Sequence, residues 1–192
     1  LFQYIISVPA IFGASIWLGF VWRRVTKWAV IWQVAVCILL YAAIPTAFQG
    51  IDAARRHPAW LLETAPRQVS STALATHDDV KAGRAGRAGE PVTRSQTVPP
   101  TGVFFEKVVP VDPNDAHSAR EGRGRFHAEL WVMSWFGLYF TTWSKPQLVA
   151  ARFYFDALFP FLALVVLSWC TRPEPREALD RFFAKVHTPV QP

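Results

Sequence analysis

Few residues in this chain combine the types and spacing that chemistry requires. The five histidines stand at 57, 77, 117, 127 and 187. None has the short His or Cys spacing that closes around a metal ion. Cys37 and Cys170 each belong to an apolar run, where a cysteine reads as a small apolar side chain, not a disulfide partner. No glycine-rich phosphate loop follows a strand-like run, and no Ser sits in a nucleophile elbow. Enzyme chemistry is therefore not expected. Two polar pairs remain. Gln3 and Ser7 are four residues apart in an uncharged run, hence on one helical face. Such a pair suits a polar contact with a neighbouring helix. Arg152 and Asp156 have the same spacing, which suits an ion pair near a helix start at headgroup depth.

Those pairs must be positioned by long apolar elements. Over half of the 192 residues, 52%, are hydrophobic, and only 18% are charged, below the roughly 25% of a soluble domain. That balance excludes a disordered chain and a disulfide-stapled miniprotein. Leu1 to Trp22 and Trp28 to Gln49 carry no charge. Each is long enough to span a hydrocarbon core of about 30 Å as a helix. Arg23, Arg24 and Lys27 form the joint between them, with Trp17, Trp22, Trp28 and Trp32 around it. Tryptophans favour the membrane–water interface. Pro9 and Pro45 kink these helices. Ala10, Ala14, Ser15 and Gly19 give a small-residue face for close packing. A third crossing is expected from Leu148 to Cys170. Leu1 lies inside an apolar run with no basic segment before it, so the start reads as part of a longer polypeptide and not as a signal peptide.

Between the crossings the character changes. Residues 50–102 include Ala-Gly-Arg repeats at 82–90 and read as a flexible, low-complexity insert. The arginines there lack interleaved aromatic rings, so no nucleic-acid partner is expected. Residues 103–147 read as a small ordered segment. Val103 to Val109 is rich in strand formers and should pair antiparallel with about 125–130. Leu130 to Trp143 is too short to span and should lie in the interface. Residues 172–192 end the chain as an amphipathic tail. Leu179, Phe182, Phe183 and Val186 share one face. The expected fold is thus an all-α integral membrane protein of about three transmembrane helices. Residues 1–49 form a hairpin, 148–171 return, and the extracytoplasmic insert holds one short β pair. The net charge of +6 lies outside the apolar blocks and calls for no polyanion. The short basic joint places Arg23–Lys27 and the C-terminus in the cytoplasm.

Two stretches resemble a known family. Gly19-Phe-Val-Trp-Arg-Arg-Val-Thr-Lys-Trp-Ala29 is similar to an interhelical junction of sodium/solute symporters. Gly124-Arg-Phe-His-Ala-Glu-Leu130, Arg152 to Phe161, Thr171-Arg-Pro and Asp180 to Val190 are similar to the tail of a bacterial branch of that family. The resemblance implies a leucine-transporter-like fold of inverted repeats in a bacterial inner membrane. It implies that sodium is the coupling ion of the complete transporter and that the core sodium ligands lie on upstream helices, so this chain binds no cofactor itself. Residues 1–22 would be the last core helix, where Gln3 and Ser7 could touch a small organic solute. The partners expected are the bilayer, the remaining transporter helices and that solute. The other class of reading is a membrane-anchored interaction protein that works through its insert.

Overall fold

The computed structural model describes residues 2–115 and 118–186, with side chains from Pro9 onward. Helix α1 runs from Phe2 to Val21 and ends at the basic joint. Thr26 then caps α2, Lys27–Ile38, by accepting from the Ala29 amide. The helix widens into a π turn over Leu39–Ala43 and continues as α3, Ile44–Gly50. Pro45 accounts for the widening: it has no amide to return to the Tyr41 carbonyl four residues back. Arg125 Nη2 donates to that carbonyl instead, at 3.3 Å. After the short helix α4, Asp52–Arg55, the chain leaves the bundle.

It returns as α7, Lys145–Cys170, started by a capping box in which Ser144 and Gln147 bond reciprocally. Helices α1 and α2 both pack on α7. Ala14 and Ala29 are fully buried, and small residues let helix backbones approach closely. Trp17 meets Phe161 edge-on, Trp22 meets Trp169, and Tyr41 meets Phe159. One polar clamp joins α1 to α2. Ser15 Oγ donates to Gln33 Oε1 at 2.8 Å, and Gln33 Nε2 donates to the Ile11 carbonyl at 3.4 Å. Helix α8, Arg176–Val186, folds back on the joint with Phe182 stacked on Phe20.

Two sheets correct the all-α expectation. Strands β1, Arg67–Leu74, and β2, Pro91–Val98, form an antiparallel hairpin with helix α5, His77–Lys81, between them. It occupies the stretch read from the sequence as loop. Val69, Thr72, Val92, Thr93 and Thr97 supply strand propensity, which the neighbouring Ala-Gly-Arg repeats obscured. Strands β3, Phe105–Pro110, and β4, Arg120–Phe126, form a second antiparallel pair. The second strand thus lies earlier than 125–130, because Gly122 and Gly124 belong to it. Gly122 has no side chain, and the Phe105 ring fills that space. The fold is therefore mixed α and β.

The crossing count is corrected too. Among the described residues, two helical stretches are long and apolar enough to cross a membrane, Lys27–Gly50 and Lys145–Cys170. The apolar part of α1 with described side chains is only Pro9–Val21. The core lies where the β3–β4 pair meets the helix ends: Val103, Phe105, Phe126, Leu130, Phe140 and Leu148 pack there against Leu40 and Tyr41. Helix α6, Ala128–Ser134, leads from that core into a loop where Phe136 is 81% and Tyr139 is 82% exposed.

Candidate functional site

The buried charged groups concentrate at the end of the bundle under β3 and β4. β4 ends at Phe126, so Arg125 faces the bundle while Phe126 enters the core. The next residues begin α6 and bring His127 and Glu129 to the same place. Arg125 Nη2 pairs with Glu129 Oε1 at 3.0 Å, with Glu129 fully buried. The first turns of α7 supply Arg152, whose Nη1 lies 3.1 Å from His127 Nε2. A guanidinium only donates, so Nε2 accepts and the imidazole proton sits on Nδ1. Burial, then the nearby Arg152 and Arg125, push the His127 pKa down to about 3. The ring is neutral at pH 7. His127 Nδ1 has no hydrogen-bond partner among the described residues, and an unmatched buried donor costs about 1–3 kcal/mol.

Asp156 lies one turn beyond Arg152 on α7 and is 6% exposed. Arg152 feels the charges of both Glu129 and Asp156. The pair singled out in the sequence thus belongs to a larger assembly that reaches into β4 and α6. Gln3 and Ser7 fall in α1, but their side chains lie outside the described residues. His117 and His187 lie outside the described residues as well. Among the described residues, no group of three or more His, Cys, Asp or Glu side chains could hold a metal ion.

A cavity of about 340 Å³ opens beside this cluster, between β3, β4 and the start of α7. Its lining includes Lys107, Arg125, His127, Lys145 and Arg152. A second hollow, apolar and about 580 Å³, runs along α7 past Tyr154, Leu158 and Leu162. A third lies in the β1–β2 hairpin around Asp79. That carboxylate is bonded first by the amide and hydroxyl of Thr76, then by Arg94 and Arg84, which hold it well below the usual carboxylate range. Arg84 of the Ala-Gly-Arg repeat is thereby part of a structural hub. Glu121 on β4 is likewise held low, first by Arg123 at 2.7 Å and then by Arg55.

At the opposite end of the bundle, the joint after α1 meets the segment after α7. Thr26 and Thr171 share a hydrogen bond of 2.7 Å. Since Thr171 Oγ1 also donates to the Leu167 carbonyl at 2.9 Å, the Thr26 hydroxyl is the donor between them. Arg23 pairs with Asp180 at 2.6 Å and lies over the Phe183 ring. Glu174 accepts from the Lys27 amide at 3.4 Å.

Sequence reasoning missed Gln33, Tyr41 and the Arg125–Glu129 pair. Gln33 had a signal: an amide at the sixth position of the apolar run that starts at Trp28 needs a partner in its helix bundle. Arg125–Glu129 had one as well, opposite charges four apart with apolar residues between and after. No protein-family model, curated protein or solved structure matches this chain.

Proposed function

We propose that this chain is the C-terminal portion of a secondary active transporter that couples sodium entry to uptake of a small organic solute. One observation carries the reading. The two stretches that resemble sodium/solute symporters are about 145 residues apart in sequence, yet they dock on one another through Thr26–Thr171 and Arg23–Asp180. A chance likeness in two unrelated segments gives no reason for them to form one contact.

The apolar faces add support. Phe12, Ile16, Leu158, Leu162 and Val166 are all more than half exposed on α1 and α7, and a protein in water rarely leaves so continuous an apolar surface. Further transporter helices and lipid would cover it. In this reading Lys27–Gly50 and Lys145–Cys170 cross a bacterial inner membrane, and the exposed Trp135, Phe136 and Tyr139 sit at headgroup level. The joint and α8 are then on one side, and residues 51–144 on the other. The resemblance assigns the sodium ligands to helices outside this sequence, so the part played here is structural support and closure of the transport core.

Sodium-driven uptake tests it. Membrane vesicles from cells making the complete polypeptide should accumulate at least one of a panel of labelled sugars, amino acids and carboxylates under an inward sodium gradient. Removal of these 192 residues should abolish that uptake, and the 192-residue chain reconstituted alone should show none. Absence of sodium-driven uptake by the complete polypeptide, or uptake indifferent to the removal, overturns the proposal.

A further inference from the structure

The cavity beside the buried charge cluster has a lining that selects by charge. Lys107 comes from β3, Arg125 from β4, and Lys145 and Arg152 from the first turns of α7, while Glu106 is the one carboxylate in the lining. Glu129 and Asp156 stand behind it, buried, with Glu129 on Arg125. Counted together, four cations face three carboxylates. At the mouth the exposed Lys107 and Lys145 outnumber the exposed Glu106, while Glu129 and Asp156 are buried. Lysine and arginine only donate hydrogen bonds. The Arg152 contact also fixes His127 in the tautomer whose Nδ1 donates, and that Nδ1 has no partner among the described residues. His127 is itself 7% exposed. A neutral sugar needs acceptors as well as donors, and a metal cation would be repelled. An oxyanion with several acceptor oxygens suits this lining, since charge-assisted hydrogen bonds to such groups are the strong ones.

We propose that this cavity binds a phosphate-type oxyanion, held by Lys107 and Lys145 at its mouth and by Arg152 and His127 deeper in. Two sources share that chemistry, free phosphate and the headgroup of an anionic phospholipid. The second source has its own geometric support. A shallow apolar strip of α7, with Val149, Ala150 and Phe153, shares Lys145 and Val149 with the cavity lining. An acyl chain could lie along it. The proposal stands apart from the transport reading, because the donor set is complete within this chain.

The test uses the full chain purified in detergent. Inorganic phosphate is titrated by calorimetry, and retained phosphatidylglycerol is measured by native mass spectrometry against phosphatidylcholine. The same measurements are made on a Lys107→Gln/Lys145→Gln double variant and on Lys27→Gln/Lys81→Gln, which removes equal charge elsewhere. Both cavity lysines are exposed, so neither change disturbs the core. The first variant should weaken binding at least tenfold and the second less than twofold. Phosphate binding lost in the cavity variant identifies a free anion. Phosphatidylglycerol retention lost there, without phosphate binding, identifies the lipid. Binding of neither probe by the native chain, or equal loss in both variants, overturns the proposal.

Discussion

Replacing Gln33 by Leu tests whether one buried amide sets how α1 and α2 pack. Gln33 is fully buried and takes a hydrogen bond of 2.8 Å from Ser15. Leucine nearly conserves the volume, so the change isolates the polar contact. It strands no donor. Ser15 Oγ also lies 3.5 Å from the Ile11 carbonyl and can fall back on it. The expected loss is therefore only the net value of one interhelical bond, about 0.6–1 kcal/mol. Gln33→Ala removes the bond and the volume. A residual cavity of about 50 Å³ at 24 cal/mol per Å³ adds about 1 kcal/mol, for a total near 2 kcal/mol. Ser15→Ala made in both backgrounds closes a double-mutant cycle with a coupling of about 0.5–1 kcal/mol. The measurement is unfolding in mixed micelles with rising dodecyl sulfate, followed by tryptophan fluorescence. A coupling below about 0.3 kcal/mol, or equal costs for the Leu and Ala variants, would refute the clamp.

Three further outcomes are expected. His127 is held neutral with a pKa near 3 against 6.5 when unfolded. The unfolded state therefore takes up the proton first as pH falls, and stability drops from pH 6.5 downward by about 2 kcal/mol at pH 5. In that window His127→Gln should flatten the slope; an unchanged slope in unfolding titrations contradicts the assignment. Gly122→Ala should cost about 1–3 kcal/mol or prevent folding, because its Cβ would enter the buried Phe105 ring; a melting temperature within one degree of the native chain, about 0.3–0.5 kcal/mol, contradicts the packing. With Cys170 replaced by Ser, a cysteine at Arg87 should react with an impermeant maleimide in intact cells and one at Arg172 should not, and the reverse pattern excludes the topology.

How much of this was legible follows from the range of each signal. The first two helical runs of the bundle came from uncharged stretches and α7 from a long apolar one, a property each segment carries by itself. The basic joint and the amphipathic α8 are local in the same sense; the Ser144–Gln147 box, which starts α7 ahead of the expected Leu148, is also local but was passed over. Compositional judgement failed at 67–98, where alternating Val, Thr and Ser formed a hairpin and the Ala-Gly-Arg repeat served only as its tip. There the stabilising group is Asp79, one acidic residue that gathers Thr76, Arg84 and Arg94; its three-residue spacing from Thr76 is that of a capping box, while its spacing to the arginines gives no advance notice. The polar site was half visible. Arg152 and Asp156 were readable as a pair on one helix face. Their real setting needs His127, Glu129 and Arg125 from a strand end and a short helix that the sequence places over twenty residues away. The link that completes it is the Tyr41 carbonyl, which loses the amide four residues on to Pro45 and is met by Arg125. A proline that reads in sequence only as a kink thus creates the acceptor that seats a buried arginine, and that arginine in turn carries the positive charge to the cavity beside it. The site is non-local because its polar groups come from β4, α6 and α7 and meet across element boundaries, so it exists only once the β3–β4 pair has closed over the helix ends.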